Sequence, residues 1–228
     1  PRIGSVIDQS YRIARLLDTD DAVRVYQGED VRLGRRLTVK VIAPDTGAHT
    51  ERLRRFRLEA RAIASMDHHH VVTIHDIRDM EGGSVALITE HLRGETLAQR
   101  LEAGGPLPLN AVGRIVAQTA LALGAAHAKN LIHRDVTPES VVLLRRAGRD
   151  DFVKLTGFGL VKQKMQGLGV GLDKAMTAEG QVVGTPEYMS PEQVKAATVD
   201  HRADVYALGM VAYAMVCGQP AFPGRHAA

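Results

Sequence analysis

His133-Arg134-Asp135-Val136-Thr137-Pro138-Glu139-Ser140 is the stretch from which this chain is best read. Alone it is a weak signal, a histidine, an arginine and a carboxylate ahead of a proline. Downstream follow Val153-Lys154-Leu155-Thr156-Gly157-Phe158-Gly159-Leu160, then Gly184-Thr185-Pro186-Glu187-Tyr188-Met189-Ser190-Pro191-Glu192, then Asp204-Val205-Tyr206-Ala207-Leu208-Gly209. Upstream, Arg36 to Ile42 reads as a strand carrying an inward lysine, Lys40, and Phe56 to Arg61 as a helix carrying Glu59, an acid able to pair with it. Each motif occurs in unrelated chains; their order is specific.

In that order they match the signature set of protein kinases, and over about Ile3 to Gly224 the wording resembles bacterial serine/threonine kinases of the Hanks type. The resemblance implies an α+β, two-lobed fold: a five-stranded antiparallel N-lobe over 1–90 and a helical C-lobe over 91–228. The family continues with further helices beyond the one ending near Gly218, whereas this sequence stops at Ala228. The large lobe is therefore expected to be truncated after its central helix, with apolar surface uncovered on Val205 to Cys217.

Local patterns agree with this outline. Tyr11 to Ile42 alternates short β-rich runs with polar turns at Asp18-Thr19-Asp20-Asp21 and Arg32-Leu33-Gly34-Arg35-Arg36. Thr50 to Met66 spaces Leu53, Phe56, Ala60, Ile63 and Ala64 as one helix face and leaves Arg52, Arg54, Arg55, Arg57 and Arg61 on others. Val71 to Ile74 and Val85 to Thr89 read as strands about a turn at Glu81-Gly82-Gly83-Ser84. Glu90 to Gly94 then connects to a long Ala/Leu-rich helix, Leu109 to Ala128, and a mainly helical remainder. Lys162 to Gln181 is glycine-rich without a period, as a loop would be, and falls where the family keeps its activation segment.

The 228 residues, 45% of them hydrophobic, suffice for one large domain or two small ones. The single cysteine, Cys217, excludes an internal disulfide and reads as a buried apolar residue in a reducing, cytoplasmic setting. The longest apolar run, Val205 to Cys217, is 13 residues, too short for a bilayer, so no membrane segment is expected. A net charge of +3 with 4% aromatic residues offers no platform for nucleic acid.

Phosphoryl transfer asks a protein chiefly for electrostatics, since clustered negative charge must be held while the terminal group moves. By resemblance, Lys40 is the phosphate-binding lysine, Glu59 its helix partner and Asp135 the base that accepts the substrate hydroxyl proton. Arg134 matches the arginine that pairs with a phosphorylated activation segment, in which Thr177 and Thr185 are candidate acceptors. Val25, Lys40, Thr89, Glu90 and Leu92 fall at nucleotide-binding positions.

Other positions depart from the pattern. Gly157 stands where the family has its magnesium-chelating aspartate, Ser140 where it has the second metal ligand, an asparagine, and Thr137 where it has a phosphate-contacting lysine. A glycine offers no side-chain oxygen to a cation that wants six, and a serine hydroxyl is a weak ligand. Leu17 to Tyr26 covers the segment of the glycine-rich phosphate loop, yet contains no glycine and carries Asp18, Asp20 and Asp21. Those acids either repel phosphate or point to water in a hairpin turn. A substitute ligand from Asp20, Asp21 or Asp151 would rescue a metal site.

Further resemblances are structural. Asp204 matches the aspartate that anchors the catalytic loop, Glu192 the acid that closes the activation segment, and Ile63, Phe158 and His133 an apolar regulatory stack. His68-His69-His70 cannot readily converge on one ion, being consecutive. The arginines at 52, 54, 55, 57 and 61 read as a solvated helix face or as a docking surface for an acidic partner. Three functions remain open. The first is a pseudokinase with no metal and no required cofactor, binding a protein partner such as an active kinase or the remainder of its own chain. The second is a divergent active serine/threonine kinase, and the third an ATP sensor without turnover.

Overall fold

The computed structural model of the chain describes residues 1–19, 23–42, 57–58, 60–158, 186–195 and 197–223. Glu59, Asp20, Asp21, Arg52, Arg54, Arg55, Thr177 and Thr185 lie outside these, so the expectations placed on them are not addressed by the structure. The chain divides into two compact units, Pro1–Asp67 with Val72–Arg93, and His68–Val71 with Gly94–Ala228.

The first unit is built on an antiparallel sheet of β1 (Val6–Ile7), β2 (Tyr11–Thr19), β3 (Val23–Asp30), β4 (Arg36–Ile42), β5 (Ile74–Asp79) and β6 (Val85–Glu90), in the order β1-β2-β3-β4-β6-β5. Period-two alternation explains β4: Leu37, Val39 and Val41 are buried, while Thr38, Lys40 and Ile42 occupy the opposite face. The buried set joins Ile7, Ile13, Tyr26, Ala86 and Ile88 in one apolar layer. Two expectations are corrected here. The sheet has six strands, not five, because β1 is two residues long and too short to leave a periodic trace. The strand expected over Val71 to Ile74 begins only at Ile74; Val71 instead bridges in parallel to Leu155, within the second unit. Among the described residues, 57–58 and 60–64 are helical, with Ala60 and Ile63 buried as their spacing predicts.

The second unit is less purely helical than its composition suggests. It contains a three-stranded antiparallel sheet of β7 (Gly94–Thr96), β8 (Val141–Arg146) and β9 (Arg149–Leu155). Arg146 pairs with Arg149 across a two-residue turn in which Ala147 (φ 50°) and Gly148 (φ 78°) both take positive φ, the conformation that matches strand twist. A Cβ on Gly94 would sit 2.1 Å from the Leu143 carbonyl oxygen, so β7 packs on β8 only because nothing is there. Gly94→Ala is expected to destabilise this unit by about 1–3 kcal/mol, read as a lower urea midpoint; an unchanged midpoint would mean that β7 detaches at little cost.

Helix α1 (Leu97–Gly104) opens with a capping box, in which Thr96 Oγ1 accepts the Gln99 amide and Gln99 Oε1 accepts the Thr96 amide. Helix α2 (Leu109–His127) buries Val112, Ile115, Thr119, Ala122, Leu123 and Ala126, one face at helical spacing, and packs on β9 and on α4 (Arg202–Cys217). Among the described residues α2 is also the one helix long and apolar enough to cross a bilayer, by length and composition. The sequence reading passed over it because Asn110, Arg114, Gln118 and Thr119 interrupt the apolar run. A short helix α3 (Pro191–Val194) precedes α4. The inner face of α4 is buried, whereas Val205, Tyr213 and Val216 are exposed. Cys217 corrects its expectation: it is exposed, at the last turn of α4 on the outer face.

Candidate functional site

The candidate residues fall into two sets, one in each unit. In the first unit the register of the sheet lines them up. Val25 pairs directly with Lys40 and Lys40 with Leu87, while Thr38 pairs with Thr89 two residues along. Directly paired residues share a face, so Val25, Lys40 and Thr89 stand on the side of the sheet opposite the apolar layer. Lys40 is half-buried, and burial pushes its ammonium pKa down because a desolvated cation is disfavoured; the Asp18 carboxylate acts in the opposite direction. Thr89 is buried, its hydroxyl 3.3 Å from the Glu90 carbonyl. Glu90 is committed to structure: its amide donates to the Thr73 carbonyl, and its carboxylate accepts the Thr73 amide at 2.8 Å. Leu92 is half-buried beyond the end of β6.

In the second unit the organising group is Asp204, on the first turn of α4 and 1% exposed. Its carboxylate accepts the amides of His133 (2.8 Å) and Arg134 (2.7 Å), and His127 Nε2 at 2.7 Å. Arg134 has φ 64°, a left-handed conformation that costs an L-residue roughly 1–2 kcal/mol. The buried carboxylate offsets that strain, and Gln193 Nε2 on α3 adds a hydrogen bond to the Arg134 carbonyl at 2.8 Å. His133 donates from Nε2 to the Thr156 carbonyl (2.9 Å) and accepts the Asp135 amide at Nδ1 (3.3 Å), which fixes its tautomer. Its ring lies 4.5 Å from that of Phe158, so two members of the expected stack meet; Ile63 is buried in the other unit.

The departures from the kinase pattern sit beside this frame. Ser140 is buried, and its hydroxyl donates to the Thr137 carbonyl (2.8 Å) while accepting the Thr137 amide (3.0 Å). The hydroxyl is thus turned back on the loop's own backbone. Thr137 is buried as well. Gly157 has φ 78°, and a Cβ built on it would be 3.8 Å from Ser140 Cβ, so the two positions are neighbours facing a common space. Magnesium keeps near-octahedral oxygen coordination, commonly with one or two protein carboxylates. Here one position supplies no side chain and the other a neutral hydroxyl whose proton and one of whose two lone pairs are already engaged, so these two are a poor fit to the ion. No cluster of three His, Cys, Asp or Glu side chains suited to a metal occurs among the described residues.

Two other candidates are placed by the structure. The Asp151 carboxylate, 12% exposed, is held by Arg114 Nε at 2.5 Å and Arg149 Nε at 3.5 Å; this corrects its reading as a substitute metal ligand, because both guanidinium groups already occupy it. His70 Nδ1 donates to the Val153 carbonyl (2.9 Å) and its amide donates to His68 Nδ1 (3.3 Å), so the histidine run is tied to backbone. Arg57 pairs with Asp79 and Arg61 is exposed. The sequence reading missed His127 and Gln193. His127 left no periodic signal, whereas Gln193 was announced by Ser190, with which it forms a capping box.

Comparison with known proteins follows the same outline. The family model described as the protein kinase domain matches residues 19–228. The chain is 39% identical over 213 residues to serine/threonine-protein kinase Pkn1 of Myxococcus xanthus, covering 93% of this chain and 29% of that protein. It is 36% identical over 229 residues to serine/threonine-protein kinase PknA of Mycobacterium tuberculosis, covering 98% of this chain and 50% of the relative. The crystal structure of the Mycobacterium tuberculosis PknI kinase domain superposes with a TM-score of 0.75 at 28% identity, over 97% of this chain and 79% of that one. The chain thus spans half or less of the length of these two curated relatives.

Proposed function

Because this chain belongs to the protein kinase domain family and is homologous to bacterial serine/threonine kinases, we propose that it is a pseudokinase: a cytoplasmic regulatory or scaffolding module that binds a protein partner and in which magnesium-dependent phosphoryl transfer is impaired. The observation that supports this reading most is the Ser140 hydroxyl, a neutral group whose proton and one lone pair are taken by Thr137, next to a Gly157 that has no side chain. A triphosphate held without its cations keeps its charge unbalanced through the transfer, and that charge is what catalysis must neutralise. The partner is a protein, either an active kinase or a further part of the same polypeptide.

Purified chain incubated with labelled ATP, magnesium and a generic serine/threonine substrate is expected to incorporate no more label than its Asp135→Asn variant. Incorporation well above that control sinks the proposal.

A divergent active kinase is the second reading, favoured by Asp135 on a loop whose Asp204 anchor is intact and by the names of the relatives. Thermal shift with ATP separates the cases: no shift supports the pseudokinase, a magnesium-dependent shift the active kinase, and a magnesium-independent one an ATP sensor.

A further inference from the structure

Strand β2 carries an extra residue near its end. Leu16 opposes Tyr26 and Asp18 opposes Val25, so Leu17 is inserted between two paired positions. In an unbroken ladder Leu17 would face Val25, and Asp18 would stand opposite Arg24 on the other side of the sheet, since side chains alternate. The bulge re-aims Asp18 to the face that carries Val25 and Lys40. One row across four strands then reads Asp18, Val25, Lys40, Leu87, with Asp18 two strand spacings, about 10 Å of backbone, from Lys40.

From this juxtaposition we propose that Asp18 is a counter-ion of Lys40, a specificity-determining carboxylate that holds polyphosphates off this face of the sheet. The row contains one cation and one anion, separated by the uncharged Val25, so their attraction is the strongest charge interaction within it. Asp18 is exposed and its Oδ1 accepts the Thr19 amide at 2.8 Å, which restrains the carboxylate at the strand end. The opposing effects of burial and Asp18 on Lys40 are the electrostatic trace of the same arrangement. An incoming polyphosphate would both compete for Lys40 and meet a like charge beside it. The inference rests on the reading of the Lys40 face as a nucleotide-binding position, and explains why that face is unsuited to the charged end of a nucleotide.

The test uses the chain as it stands, without metal and at low salt, with adenosine, AMP, ADP and ATP as probes. Asp18→Asn is expected to bind ATP roughly tenfold more tightly than the parent, with the gain rising with ligand charge and least for adenosine. Asp18→Ser, neutral and still able to accept the Thr19 amide, is expected to match it. The gain should shrink when Lys40→Met is added, to the part owed to direct repulsion of phosphate by the Asp18 carboxylate. Equal ATP affinities with and without Asp18, or a gain undiminished by Lys40→Met, overturn the inference. An independent readout is the Lys40 side-chain carbon resonance by NMR: without Asp18 the ammonium loses a stabilising charge and should titrate at lower pH, and an unmoved titration also counts against it. These metal-free measurements stay separate from the transfer assay, so magnesium-dependent activity in the parent chain would remove the pseudokinase reading alone.

Discussion

Asp204→Ala is expected to melt roughly 10 °C below the parent chain. The side chain is 1% exposed and accepts hydrogen bonds from the amides of His133 and Arg134 and from His127 Nε2. Truncation leaves these three donors without their acceptor and withdraws the support of a left-handed Arg134. Breaking a buried charged network in this way costs about 3–5 kcal/mol, more than the Gly94 substitution. The loss should be local: hydrogen exchange at the amides of His133 and Arg134 is expected to accelerate before that of β8 and β9. Asp204→Asn should fall between, because its one oxygen still accepts while its amide nitrogen opposes a donor. An unaltered melting temperature with unaltered exchange at those two amides would show that the carboxylate does not hold the loop.

The second large effect is a gain. With Gly157→Asp and Ser140→Asn together, magnesium is expected to add stabilisation by ATP that the parent chain lacks. Space is available, since a Cβ at Gly157 makes only an ordinary contact of 3.8 Å with Ser140 Cβ. The cost is backbone conformation, for φ 78° disfavours L-residues, though aspartate is among those found there most often. Replacing Ser140 also removes its two bonds to Thr137, so the variant should be about 1–3 kcal/mol less stable without ligand. At a ligand concentration of about 100 times Kd, binding returns about 2.7 kcal/mol, a rise of roughly 5–10 °C on adding magnesium. The comparison is best made with Asp18→Asn in both proteins, so that the Asp18 charge does not mask nucleotide binding. If magnesium shifts neither protein, Gly157 and Ser140 are not what the site lacks. If it shifts both equally, a metal is already bound without them.

Much of the fold was legible because its signals are short-range. Leu37, Val39 and Val41 alternate with Thr38, Lys40 and Ile42, and that alone orients β4. Helix α2 lies where its Ala/Leu-rich composition placed it, and α4 covers the apolar run Val205 to Cys217. The candidate site was legible in composition but not in connection. That position 157 offers no side-chain oxygen is a property of glycine, whereas the fate of the Ser140 hydroxyl depends on the backbone three residues earlier curling back to meet it. Likewise Asp151 looked available until Arg114, 37 residues away on α2, was seen to occupy it.

The sequence by itself determined the class of fold, through the order of motifs in which it resembles protein kinases, and the residue types at Gly157 and Ser140, since identity needs no partner to be read. Tertiary structure alone decided that Asp18 shares a face with Lys40, that Asp204 gathers His127, His133 and Arg134, that β7 joins a second sheet and that Cys217 is exposed. The physical reason is that these depend on strand register and on contacts between residues far apart in the chain. A bulge of one residue turns a side chain from one face to the other while leaving the local sequence pattern almost unchanged.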